Sequence, residues 1–160
     1  MKAVFFIEVW LVKAEKAAVA LLIGVMIALS SLQLLLRLGF SQSILWLDPL
    51  LRHLVLWAGF LGAALASHEG QHFALDIMHR LLPDKSRRAV EISGAVFAAL
   101  ASGTLLAAAC IFIKDEFSAG TAAFAIGNFN VRGWAVELAI PLGFALMLFH
   151  SLTGIFRKRQ

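Results

Sequence analysis

The stretch DPLLRHLVLWAGFLGAALASHEGQH, Asp48 to His72, decides the fold. Asp48 reads as a helix N-cap and Pro49 as the first helical residue, and the sequence then stays apolar to Ser67. No ionisable side chain occurs between Leu54 and Ala66. A bilayer core of about 30 Å is crossed by about 20 helical residues, so this run is long enough to span. Arg52 lies four residues after Asp48, where the two can pair at the interface while the Arg52 stem snorkels outward.

Composition extends that reading to the whole chain. Of 160 residues, 61% are hydrophobic and only 15% charged, and the mean hydropathy is +0.85. A soluble domain of this length lacks the interior to hide so much apolar surface. Every backbone polar group in a bilayer must be bonded internally, and runs near twenty residues select helices over a barrel. The expected fold is an all-α integral membrane protein in which residues 1–160 form one four-helix domain. The spans fall at about 17–36, 49–67, 89–113 and 134–156. The single cysteine, Cys110, excludes an intrachain disulfide and reads as a small buried packing residue. The net charge of +4 does not indicate nucleic acid, because the basic residues gather at span edges.

Two shorter helices are expected beside the spans. Residues 3–15 read as an interfacial amphipathic helix, with Phe5, Phe6, Val9, Trp10 and Val12 dipping into the headgroups. No small-residue cleavage site follows them, so they are not expected to be a signal peptide. Beyond Gly70, Phe73, Ile77 and Leu81 form one stripe while His72, Asp76, His79 and Arg80 lie opposite. That pattern predicts a short amphipathic helix on the membrane surface, ended by Pro83, with His72 and Asp76 facing water or a partner. Lys and Arg number ten across the N-terminal arm, the loop between spans two and three, and the tail, against three on the other side. The positive-inside rule then puts both termini in the cytoplasm.

His68-Glu69-Gly70-Gln71-His72 matches H-E-x-x-H, the pattern in which two histidines hold zinc and the glutamate activates water. The motif needs a third ligand. Asp76 is eight residues from His68, about 12 Å along a straight helix, too far to share an ion. Gly70 weakens the helix that would hold the pair, and only Glu91 from span three remains to approach. The expectation is a solvated bend with no bound metal.

The span middles are almost bare of polar groups, whereas a carrier needs charges or broken helices near the midplane to hold its cargo. The chain therefore reads as an accessory subunit with no cargo site of its own. Small residues supply faces for helix contact: Ala95, Ala99, Gly103 and Ala107 on span three, and Gly59, Gly62 and Ala66 on span two. These seams serve either packing within the bundle or a partner. Glu137 and Glu91 are expected to pair with a neighbouring chain, Arg132 or Arg88, rather than to catalyse anything. Pro141 with Gly143 should kink span four. The stretch from Lys114 to Gly133, with the short loop from Arg37 to Ser43, forms the surface opposite the cytoplasm.

The run from Trp57 to Ala64, a glycine at 70, His72, Asp76 and Leu82-Pro83 before basic residues together resemble a known family. So do Gln33, Arg37 and Phe40 closing span one, Trp46 before an acidic residue, and Trp134 with Pro141-Leu142-Gly143 in span four. The sequence is similar in this order to the small permease (Q-type) subunit of tripartite ATP-independent periplasmic (TRAP) transporters. Asp48-Pro49 departs from the glutamate-rich helix start expected there, and His68 and Glu69 fall at variable positions. The resemblance implies a bacterial inner-membrane protein that is not an enzyme and needs no cofactor. It implies three kinds of contact: a large permease carrying the substrate and sodium sites, a periplasmic solute-binding protein delivering an organic acid, and membrane lipids. Candidate partner contacts are Gly59, Gly62, Ala95, Ala99, Gly103, Glu137, His72 and Asp76. Arg37, Lys114 and Arg132 are the candidates for docking the binding protein. The competing readings are an intramembrane zinc protease using His68, Glu69 and His72, and a self-contained small exporter.

Overall fold

The computed structural model describes the backbone of residues 2–81 and 84–156, and the side chains of 8–69, 90 and 92–153. Helix α1 runs Lys2–Phe40, α2 Leu47–Leu81 and α3 Asp84–Ala119. A two-stranded antiparallel hairpin follows, β1 Ala122–Ile126 and β2 Phe129–Arg132, then a short α4 Gly133–Glu137 and α5 Ala139–Phe156. Four helices are long and apolar enough to cross a membrane, over Glu8–Phe40, Leu47–Glu69, Ile92–Ala119 and Gly133–Thr153. The chain is an all-α membrane protein with a small β appendage.

The helices are longer than the spans expected from the sequence, and this corrects two readings. The segment expected as a separate interfacial helix over 3–15 is continuous with the first span in the 39-residue α1. Likewise α2 continues through Gly70 to Leu81, so neither a bend nor a separate amphipathic helix interrupts it. One helical glycine costs only about 1 kcal/mol, which does not by itself end a helix. Asp48 sits inside the first turn of α2 rather than capping it. There its carboxylate still favours the positive end of the helix dipole. Among the described residues no ion pair joins it to Arg52.

The helices pack in sequence-scrambled order: α1 rests on α2, α2 on α5, and α5 on α3, with only a slight approach of α2 to α3. This row has two free edges, and its interior is thin. Among the described residues the buried apolar side chains are Leu47, Leu61, Ala64, Ala109, Phe124 and Ala139. Cys110, expected to be buried, is exposed on the outer side of α3.

Span four is broken where proline demands it. Pro141 has no N–H for the carbonyl of Glu137, and its ring crowds that carbonyl. The helix accordingly parts at Leu138, separating α4 from α5. Close by, the Trp57 indole N–H donates to the carbonyl of Val136 at 2.8 Å, tying α2 to α4. Trp57→Phe should remove this bond at little change of shape and cost about 1 kcal/mol. Denaturant titration of the detergent-solubilised chain would measure it, and an unchanged midpoint would count against the bond.

Candidate functional site

Two ends of the helix row carry most of the polar chemistry. At the hairpin end, α1 closes at Ser41, whose φ of 51° is left-handed. Gln33 reaches across to the connecting loop. Its Nε2 donates to the Ile44 carbonyl at 3.4 Å, and the Ile44 N–H donates to its Oε1 at 3.3 Å. This double contact holds the loop over an open polar crevice of about 480 Å³, lined by Gln33, Arg37, Ser41, Gln42, Ser43 and Asp48.

The hairpin occupies the stretch expected as a loop after Lys114, which itself lies on α3. Gly127 turns the hairpin at a φ of 59°, a value that favours glycine. A bulge between Ala122 and Phe124 lets Phe124 tuck inward, its ring 6.0 Å from that of His53 on α2. A second open crevice, about 670 Å³, lies beside Arg132, Trp134 and Phe129. Arg37 near the end of α1, Lys114 near the end of α3 and Arg132 at the end of β2 are all exposed and lie at this same end of the row.

Glu137 stands near Glu116 and His53. Its Oε2 is buried and has no hydrogen-bond partner among the described residues. Among the described residues no ion pair joins it to Arg132. Glu91 and Arg88 have side chains outside the described residues, as do His72 and Asp76.

The glycine and alanine seams are turned in different directions. Gly59 lies on the exposed face of α2 with Val55, Ala63 and Ala66, while Gly62 is half-buried. Ala95, Ala99 and Gly103 are half-buried beside Ser102, which is buried, on the side of α3 that meets α5. A Cβ added at Gly59, Gly62 or Gly103 would touch nothing within 4 Å. Among the described residues none of these three glycines admits a close neighbour.

The opposite end holds a cluster that no contiguous motif spells. Glu8 and Glu15 are seven residues apart, so they share one face of α1. That face is turned inward: Glu8 is 5% exposed and Glu15 4%. His150 of α5, fully buried, places Nε2 at 3.1 and 3.3 Å from the two carboxylate oxygens of Glu15. His68 of α2 places Nδ1 3.2 Å from Glu8 Oε1. The Thr153 hydroxyl donates to the same oxygen, also at 3.2 Å. Lys16 and Glu69, 2.7 Å apart, form an exposed pair alongside. Glu69 is thus held by a lysine rather than poised beside His68 as the protease motif requires. The seven-residue spacing of Glu8 and Glu15 is the sequence signal for this cluster, since it places both on one helix face.

Comparison with known proteins agrees with this architecture. Residues 26–160 match the DctQ component of the tripartite ATP-independent periplasmic transporters. The chain is 29% identical over 126 residues to the C4-dicarboxylate TRAP transporter small permease protein DctQ of Pseudomonas aeruginosa, covering 77% of this chain and 60% of that protein. It is 27% identical over 114 residues to the protein of the same name from Rhodobacter capsulatus, covering 71% and 49% respectively. A putative TRAP transporter small permease protein of Haemophilus influenzae is 36% identical over 62 residues, 39% of this chain and 38% of that one. The chain thus spans about half to three-fifths of the first two relatives. These names describe a transporter component and not an enzyme, which sets aside the protease reading of His68, Glu69 and His72. With four spans and a family match reaching from the first span to residue 160, the chain belongs to the DctQ small-permease family of TRAP transporters.

Proposed function

We propose that this chain is the small membrane subunit of a sodium-coupled TRAP transporter for organic acids, bracing a large permease and helping to dock a periplasmic binding protein. One observation carries the reading: α1 forms an edge of the row, and the most apolar stretch of its span has none of its residues buried within the chain. A polypeptide with bare edges and small residues on an exposed face is suited to lean on another helical protein. The names of two relatives suggest C4-dicarboxylates as the cargo. Sodium coupling rests on the family resemblance.

The ten-to-three excess of Lys and Arg supports cytoplasmic termini and an inner-membrane location. In that orientation Arg37, Lys114 and Arg132 face the periplasm beside the two open crevices. Gly59→Phe should weaken co-purification with the large permease at least about tenfold, a loss of about 1.4 kcal/mol. It should leave the fold of this chain intact, because nothing lies within 4 Å of the added Cβ. Normal recovery of the complex would argue against this face. Uptake of an acid anion by liposomes holding this chain alone would instead favour the self-contained exporter.

A further inference from the structure

We propose that Glu8, His68 and His150 form a binding site for one divalent transition-metal ion, zinc fitting the donors best, with Glu15 and Thr153 as its supporting shell. The three residues come from α1, α2 and α5, and each offers a ligand atom within 4.8 Å of the other two. Two ligands on one tetrahedral zinc, each at about 2.0–2.1 Å, stand about 3.3 Å apart. The His68–Glu8 pair already has that separation, at 3.2 Å. Small side-chain movements close the rest.

Burial and charge point the same way. Glu8 and Glu15 are both buried, as is His150, and the His68 side chain is only 14% exposed. Two carboxylates are drawn out of water here beside two imidazoles. Buried charges are paired or coordinate metals, and one dication neutralises this set.

The supporting contacts have the form that metal sites use. A carboxylate only accepts, so Glu15 takes the N–H from His150 Nε2, which puts the ligating lone pair on Nδ1. That nitrogen is sealed from solvent. A carboxylate behind a histidine fixes its tautomer and raises its basicity toward a metal. Thr153 in turn orients Glu8 through a hydrogen bond. Two imidazoles with one carboxylate favour zinc over magnesium or calcium, which prefer oxygen ligands alone. The sequence expectation of no metal rested on the pair His68 and His72, with only Glu91 of span three free to approach it. The geometry keeps His68 from that motif and takes the other two from distant parts of the chain. The bound ion would pin the edge helix α1 to α2 and α5.

The test is metal content of the full-length chain, purified in detergent with a histidine-free tag and dialysed against dilute zinc. The native chain should retain one zinc per chain, and cobalt in its place should give the strong visible absorption of a four-coordinate ion. His68→Ala should abolish both. Glu15→Gln, which keeps every ligand, should weaken zinc binding about 10–100-fold and covers the case in which His68→Ala fails to fold. His72→Ala should leave zinc content unchanged. Sub-stoichiometric, adventitious zinc in the native chain, or zinc binding indifferent to Glu15→Gln, overturns the proposal. Equal loss with His72→Ala overturns it too, by assigning the ion to the contiguous motif.

Discussion

His150→Ala is expected to destabilise the chain by about 1–3 kcal/mol, the cost of leaving the buried Glu15 acceptor without its hydrogen-bond donor. The Glu15 carboxylate is almost wholly removed from solvent, and both of its oxygens lie within 3.3 Å of the His150 ring. Alanine at 150 takes away that contact and opens a cavity at the junction of α1 and α5. The damage should concentrate on α1, whose other packing is against α2. Denaturant titration in detergent should show the lowered midpoint, and proteolysis should cut the N-terminal half of α1 first. Glu15→Gln should cost less, since the amide removes the charge while keeping one acceptor for His150. The account fails if His150→Ala unfolds at the native midpoint.

Gly143→Ala should cost about 1–3 kcal/mol, because the added methyl has nowhere to go. A Cβ at 143 would lie 2.7 Å from Phe60 Cβ, 2.6 Å from its Cδ1 and 3.0 Å from its Cγ. The first of these is anchored to the α2 backbone, so the ring cannot simply swing aside. Phe60 also meets Phe144 edge-on at 5.2 Å, which fixes its rotamer further. Either α2 and α5 separate or the Phe60 stack breaks. Gly103→Ala is the control: its new methyl meets nothing within 4 Å, and the change should stay within about 1 kcal/mol. Adding Phe60→Ala to Gly143→Ala should recover part of the loss, a coupling that a double-mutant cycle would read directly. Strict additivity would place the strain elsewhere.

The membrane class, the four spans and the break in span four were legible because they follow from local facts. These are the length of apolar runs and the missing N–H of Pro141. Helix ends were less so. Gly70 argued for interruption on local grounds, yet α2 runs on past it, and Glu8 and Lys16 of α1 meet His68 and Glu69 of α2 just before that point. The hairpin leaves little local signal because its strands are short and Phe124 packs against His53 of α2, far from it in sequence. The H-E-x-x-H motif drew attention to the right neighbourhood for the wrong reason. His68 does converge with acidic and imidazole groups, but they are supplied by Glu8 and His150, and no spacing rule connects residues so far apart in the chain. Of the small-residue seams, periodicity located the stripes, but only packing told inward from outward: Ala95, Ala99 and Gly103 turn toward α5, and Gly59 turns away.

The 39 residues of α1 reach about 58 Å, nearly twice the thickness of the hydrocarbon slab. A rod that long either tilts steeply or projects into water, and the acidic and basic residues on its first half favour projection. Together with the far half of α2, which continues to Leu81, it would carry helix well past the headgroups, so this end of the molecule offers two long rods rather than a loop.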